Sequence, residues 1–186
     1  MDEYGAFFPT VKTYLSQSDP TLDFAPLIVS RCGPSSYAMN AEGLKNRPNL
    51  ASSYKDGTSE TICLVQHYFY AAPRHNYLMY YGSLTNPILL PELVGSRSAT
   101  FAESTWGDVL PVTAGDPPVT RSSDRGRTFQ VMPRQEDSDS SLPQAFQPGG
   151  LTVAMFDGSV RVYAPAVSEQ VFWGMVTPAG GEVIVE

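Results

Sequence analysis

Apolar and polar positions alternate most regularly near the C-terminus, over residues 151–155 and 160–163, with Phe156-Asp157-Gly158-Ser159 between the two runs. Side chains of a strand point alternately to opposite faces, so each run predicts a half-buried strand. An Asp-Gly pair between such runs predicts a two-residue hairpin turn, with positive φ at both central residues. That closure pairs Phe156 with Ser159, Met155 with Val160, Ala154 with Arg161 and Val153 with Val162. Leu151, Val153, Met155, Val160 and Val162 then share one face, with Thr152, Ala154, Ser159, Arg161, Phe156 and Tyr163 on the other. A slip of one residue would mix the two faces.

The remaining pattern is one of short elements. Residues 2–15 carry Phe7, Val11, Tyr14 and Leu15 at helix-like spacing, with Pro9 near a turn. Residues 16–60 are rich in Ser, Pro, Asn and Gly and read as loop, with short strands around 27–29 and 37–39. The β-formers of residues 61–70 predict a strand. A turn at 73–76 and a returning strand at 77–81 would make a second hairpin. Residues 87–114 mix apolar pieces with prolines and give no assignment, and 115–127 read as a polar loop. A strand at 128–132 precedes another polar loop at 133–145. Ser168 is placed to cap a helical turn over 168–175. Gly180-Gly181 then breaks the chain before a last short strand at 183–185.

Composition supports this reading. The 186 residues are 42% hydrophobic, which is globular, and the length suits a single domain spanning 1–186. Gly 15 and Pro 16 are spread along the chain and leave little room for long helices. The predicted class is therefore mainly β (α+β), an antiparallel sheet with short helices. No apolar run approaches the ~18 residues that a membrane span needs, and no signal-peptide pattern is present.

The net charge is −7, and Arg121, Arg125, Arg127 and Arg134 are interspersed with acids. No basic stripe exists for nucleic acid, nor a basic patch for an anionic membrane surface. Cys32 and Cys63 can bridge in an oxidising compartment, or Cys63 can remain a buried free thiol in its apolar run.

Catalytic chemistry is hard to find. Cys63 and His67 would share a strand face, but zinc needs further ligands that the sequence does not supply. Asp137-Ser138-Asp139-Ser140-Ser141 begins like a calcium loop without its glycine turn or distal Glu, so a solvated acidic loop is the favoured reading and calcium the minor one. Ser52-Ser53-Tyr54-Lys55 matches Ser-x-x-Lys in a chain where Ser is common, and its companion motifs are missing. No nucleophile elbow, phosphate loop or dinucleotide fingerprint occurs. The expectation is a protein with no catalytic residues, metal site or cofactor. Tyr68, Tyr70 and Tyr77 are candidates for a ligand-stacking face, weighed against simple packing inside a hairpin.

A resemblance adds to this picture. Gln147-Pro148-Gly149-Gly150, nine residues and Asp157-Gly158, then Trp173 and Thr177-Pro178-Ala179-Gly180-Gly181-Glu182, resemble the C-terminal signature of bacterial envelope proteins of unknown function. Those proteins have a prepilin-like N-terminus and a His-x9-Asp-Gly motif. Residues 11–20 resemble that family's Cys-Pro-Ser-Asp-Pro segment, Ser36-Tyr37-Ala38-Met39-Asn40 its Ser-Tyr-Ala-x-Asn, and residues 56–62 its Asp-Gly-Thr-Ser-Asn-Thr-Ile. The matches run in order over nearly the whole chain.

Departures are also clear. Gln147 replaces the motif's His, Gln66 stands at a family Glu, and Ser16 and Ser138 stand where two cysteines are expected, as if a cross-link were lost as a unit. The processing site and long N-terminal helix have no counterpart in a chain that opens Met1-Asp2-Glu3-Tyr4. The resemblance implies a pilin-like or pseudopilin-like globular head without its long N-terminal helix. It would be a non-catalytic structural or interaction module in the cell envelope or outside the cell, with protein partners or copies of itself. Calcium held in C-terminal loops would also be in keeping with that class. An extracytoplasmic solute- or glycan-binding module using the aromatic face is the alternative.

Overall fold

The computed structural model describes residues 11–23, 34–44, 47–71, 74–77, 96–102, 128–139 and 142–179, with backbone alone for 74–77 and 96–98. Ten short strands and one α-helix are found among them. The strands are β1 (Tyr37–Asn40), β2 (Ile62–Gln66), β3 (Tyr70–Ala71), β4 (Arg74–Tyr77), β5 (Ser96–Ser98), β6 (Thr100–Phe101), β7 (Gln130–Val131), β8 (Gln144–Ala145), β9 (Leu151–Met155) and β10 (Val160–Tyr163); the helix is α1 (Glu169–Gly174). The class is mainly β, as the sequence predicts. The pairing is mixed rather than purely antiparallel, because β1–β6, β4–β5 and β7–β8 run parallel. The main sheet has the order β10-β9-β2-β1-β6, and β3-β4-β5 and β7-β8 form two smaller sheets.

The core lies under one face of the main sheet. Ala38, Val65 and Val153 line up across β1, β2 and β9, and Ile62 pairs with Met155. All five are buried and pack with Phe101, Leu151, Phe172, Met175 and Val176. α1 has only six residues and would not persist alone in water. Two features hold it. Ser168 Oγ accepts the Val171 N–H as the expected N-cap, and Phe172 is fully buried in the core. Phe172 meets Trp173 edge-on at 5.1 Å and Phe129 at 5.9 Å.

The hairpin of β9 and β10 forms where expected but in a different register. Val160 pairs with Ala154, Arg161 with Val153, Val162 with Thr152 and Tyr163 with Leu151. The loop is Phe156-Asp157-Gly158. Gly158 donates its N–H to the Met155 carbonyl, Met155 donates to Ser159, and Gly158 alone has positive φ (+86°). This is the three-residue hairpin, a tight turn followed by a left-handed glycine. The extra loop residue swaps the faces of β10. Val160 and Val162 are 67% and 54% exposed, while Arg161 and Tyr163 take the core side at the sheet edge.

Other boundaries also move. The run expected as one strand over 61–70 stops at Gln66 and resumes as β3. His67, Tyr68 and Phe69 are buried; the His67 N–H still bonds the Ser36 carbonyl in register with β1, but the Tyr68 and Phe69 N–H groups leave the ladder for Gln144 Oε1 and Asp19 Oδ2. Residues 74–76, read as turn, lie in β4. The helix-like spacing over 2–15 falls on described residues only from residue 11, where Lys12–Tyr14 makes one 3₁₀ turn. Residues 133–145, read as loop, contain a 3₁₀ turn at Gln135–Asp137 and β8. The strands expected at 27–29 and 183–185, and residues 78–81 of the returning strand, lie outside the described residues. Among the described residues, no helix is long and apolar enough to cross a membrane.

Candidate functional site

The motif residues sit at the two ends of β9. Gln147, Pro148 and Gly149 form an exposed turn, closed by a 3.4 Å bond from the Gly150 N–H to the Gln147 carbonyl. Gly150 is buried at φ +128°, and a Cβ there would collide with the Tyr163 carbonyl of β10. Gly150 therefore lets the turn enter the sheet beside β10. At the other end, Asp157 Oδ1 accepts the Ser159 N–H (2.8 Å) and the Ser159 hydroxyl (2.7 Å). These bonds, the hydroxyl first, hold the Asp157 carboxyl below its usual range. The five residues of β9 between the two turns rise about 16 Å. Gln147 and Asp157 do not meet in one pocket.

They do belong to one frame. Asn40 Nδ2 donates to the carbonyls of Ile62 and Val176, both at 2.7 Å, and Asn40 Oδ1 accepts the Gly43 N–H at 2.9 Å. Asp157 and Phe156 donate their N–H groups to the carbonyls of Thr58 and Thr61, and Ile62 donates to Met175. The Phe156 ring lies 4.4 Å from that of Tyr54, whose hydroxyl donates to the Gly43 carbonyl. Segments 36–40, 56–62, 147–163 and 173–178 thus meet through backbone and amide hydrogen bonds. Arg161 forms a two-pronged ion pair with Glu60 (3.1 and 3.3 Å), which raises the guanidinium pKa further. At this exposed position the pair is worth about 1 kcal/mol or less.

A second polar layer lies beneath Tyr68. Gln144, fully buried, accepts the Tyr68 N–H on Oε1 and donates to the carbonyls of Asp139 and Leu142. Gln130 Oε1 accepts the Asp139 N–H at 2.6 Å, so the acidic stretch 137–139 is tied to β7 and β8 through backbone groups. Ser140 and Ser141 lie outside the described residues.

Tyr68 is 1% exposed, its ring stacked on Phe146 and its hydroxyl donating to the Pro133 carbonyl. Burial, then the nearby Asp19 charge, pushes its phenol up to about 12. The ligand-stacking expectation is corrected for Tyr68, whose ring has no free face. Tyr70 is half-buried in β3, and the side chain of Tyr77 lies outside the described residues.

His67 is buried, with Nδ1 2.8 Å from the Tyr68 carbonyl, and Cys63 is a half-buried free thiol whose pKa rises with burial. A β-bulge between Ile62 and Leu64, and the end of β2 at Gln66, break the alternation that would place Cys63 and His67 on one face. Cys32 lies outside the described residues. Among those described, no three His, Cys, Asp or Glu residues converge as a metal cluster. Trp173 packs half-buried against the core.

Sequence reasoning passed over Asn40, Asp19 and Gln144 as side chains of consequence. Asn40 and Asp19 stand inside stretches that carry the resemblance. Gln144 gives no local signal, because its partners come from distant segments. Gln66, noted only as a departure, accepts the Thr152 N–H on Oε1, an acceptor role that a Glu would also fill. No protein-family model, curated protein or solved structure matches this chain.

Proposed function

We propose that the chain is a non-catalytic structural or interaction module resembling the globular head of a pilin-like or pseudopilin-like envelope protein. One observation carries the reading. Resemblance-bearing stretches at 36–40, 56–62, 147–158 and 173–178, far apart in sequence, are hydrogen-bonded to one another as a frame, with Asn40 bridging β2 and the segment after α1. Polar side chains at these positions bind backbone groups, the behaviour of residues that maintain a shape. Gln147 in place of His fits the same role, since an exposed turn needs neither a titrating nor a metal-binding group. Protein partners or further copies of the chain, in the envelope or outside the cell, are its expected company.

The test has two arms. A photo-crosslinking residue at Val160 or Val162, exposed on the outermost strand of the main sheet, should give a discrete protein adduct in cells that make the protein. Saccharide arrays, ligand melting shifts and hydrolase panels on the purified chain should stay blank. A saccharide that binds wild type and is lost in Tyr77→Ala would replace this reading with the glycan-binding one. Turnover in any panel would end the non-catalytic claim.

A further inference from the structure

Residues 11–23 run across the surface, and only Asp19 and Thr21 among them are buried. Leu15, Ser16 and Leu22 are half-buried and the rest are exposed. A segment of that kind is not held by apolar burial. Backbone donors of the body bind it instead. Ser36 donates its N–H to the Tyr14 carbonyl, Phe69 donates to Asp19 Oδ2 at 2.9 Å, and Tyr70 donates to Thr21 Oγ1 at 3.1 Å.

The last two bonds form one device. Asp19 Oδ1 accepts both the Thr21 N–H (2.9 Å) and the Thr21 hydroxyl (2.6 Å), so the hydroxyl oxygen is turned to receive the Tyr70 N–H. One carboxyl group thus controls two backbone donors of the body, one directly and one through Thr21. Ser36 Oγ, buried and without a bond of good geometry, lies beside it.

The place of these donors matters. Among the described residues β3 has β4 on one side only, and Tyr70 belongs to β3. A strand edge with free N–H groups templates pairing with other chains. Here the Thr21 hydroxyl oxygen takes the outward Tyr70 N–H of β3, where a neighbouring strand's carbonyl would sit, and the Asp19 carboxylate takes the Phe69 N–H just before the strand.

We propose that residues 11–23 are a strap latched onto the β3 edge by the Asp19 carboxyl group, and that this latch decides whether the edge is covered. The strap can leave without dismantling the main sheet, because Asp19 and Thr21 contribute nothing to the apolar cluster of β1, β2, β9 and α1. The inference does not depend on the envelope-head reading.

Hydrogen exchange on the full chain tests it. In wild type the Phe69 and Tyr70 amides should be protected. In Asp19→Ala both should exchange at least about 100-fold faster, and 11–23 should become the first site of protease cleavage, while the Val65 and Val153 amides keep their protection. Unchanged Phe69 and Tyr70 would overturn the latch. Equal loss of protection at Val65 and Val153 would overturn it too, by showing that Asp19 supports the whole fold. Should Asp19→Ala not fold, Thr21→Val provides the second arm. It should free Tyr70 and leave Phe69 protected; release of both or neither contradicts the relay.

Discussion

Gly150 and Gly158 both have positive φ, yet they answer to different constraints. At Gly150 an added Cβ meets the backbone of Tyr163, which is fixed in the sheet, so strain and collision act together. Gly150→Ala should lose more than about 3 kcal/mol. At Gly158 nothing lies within 4 Å of a Cβ, so only the left-handed backbone opposes substitution. Gly158→Ala should lose about 1 kcal/mol and the β-branched Gly158→Val clearly more. Denaturant midpoints for the three variants check this ordering, and equal losses for the two alanines would contradict it. Asp19 makes a separate claim about pH. Burial raises its pKa above 3.8, against the hydrogen bonds from Thr21 and Phe69 and the nearby Ser36 hydroxyl, which lower it. A raised carboxyl pKa means that the folded state holds the proton more tightly. The associated stability is therefore full below the ordinary value and lost as pH rises through the folded one. Asp19→Asn cannot titrate, so wild-type stability minus variant stability should shrink between about pH 3.5 and pH 7. The lowered pKa of Asp157 acts in the opposite direction but is common to both proteins and cancels. A pH-independent difference would refute the direction.

At the level of the hairpin, the register makes Val153 a core residue and Val162 a surface residue. Val153→Ala should cost about 2 kcal/mol through lost burial, and Val162→Ala should stay within about 0.5 kcal/mol. The two-residue turn expected from Asp-Gly would give the two valines similar costs, so one pair of thermal melts separates the registers. The alternation that marks β9 is plain in the sequence, and so is Ser168 at the head of α1. The turn type is not. Asp157-Gly158 fits either hairpin, and contacts outside it select the three-residue form: the Phe156 ring against Tyr54, its N–H on Thr61, and the Asp157 N–H on Thr58. The early end of β2 has the same origin. Tyr68 and Phe69 have strand-like composition, but their amides are taken by Gln144 and Asp19, each distant in sequence. The roles of Gln144 and Asp19 were hidden for that reason. A local pattern shows what a segment can form, while the partner of a polar side chain is fixed only when distant segments meet.

For the molecule as a whole, Asn40 is where that meeting is concentrated. It is fully buried at the end of β1, and it links the Ile62 carbonyl at the start of β2 to the Val176 carbonyl just beyond α1. Asn40→Leu keeps approximate volume but leaves two buried carbonyls and the Gly43 N–H without their partner. Each orphaned group costs roughly 1–3 kcal/mol, so the total should exceed about 3 kcal/mol. Arg161→Ala offers the contrast, since removing an exposed ion pair should cost about 1 kcal/mol or less. The two substitutions should also differ in reach. Loss of Asn40 frees the segment after α1, so exchange should quicken at the Ile62 N–H, which is bonded to Met175, as well as in α1. Loss of Arg161 should leave those amides alone. If Asn40→Leu melts near wild type, or if its effect stays within β1, then the frame is a set of independent contacts. The resemblance-bearing stretches would then have no common structural task, and the module reading would lose the observation that carries it.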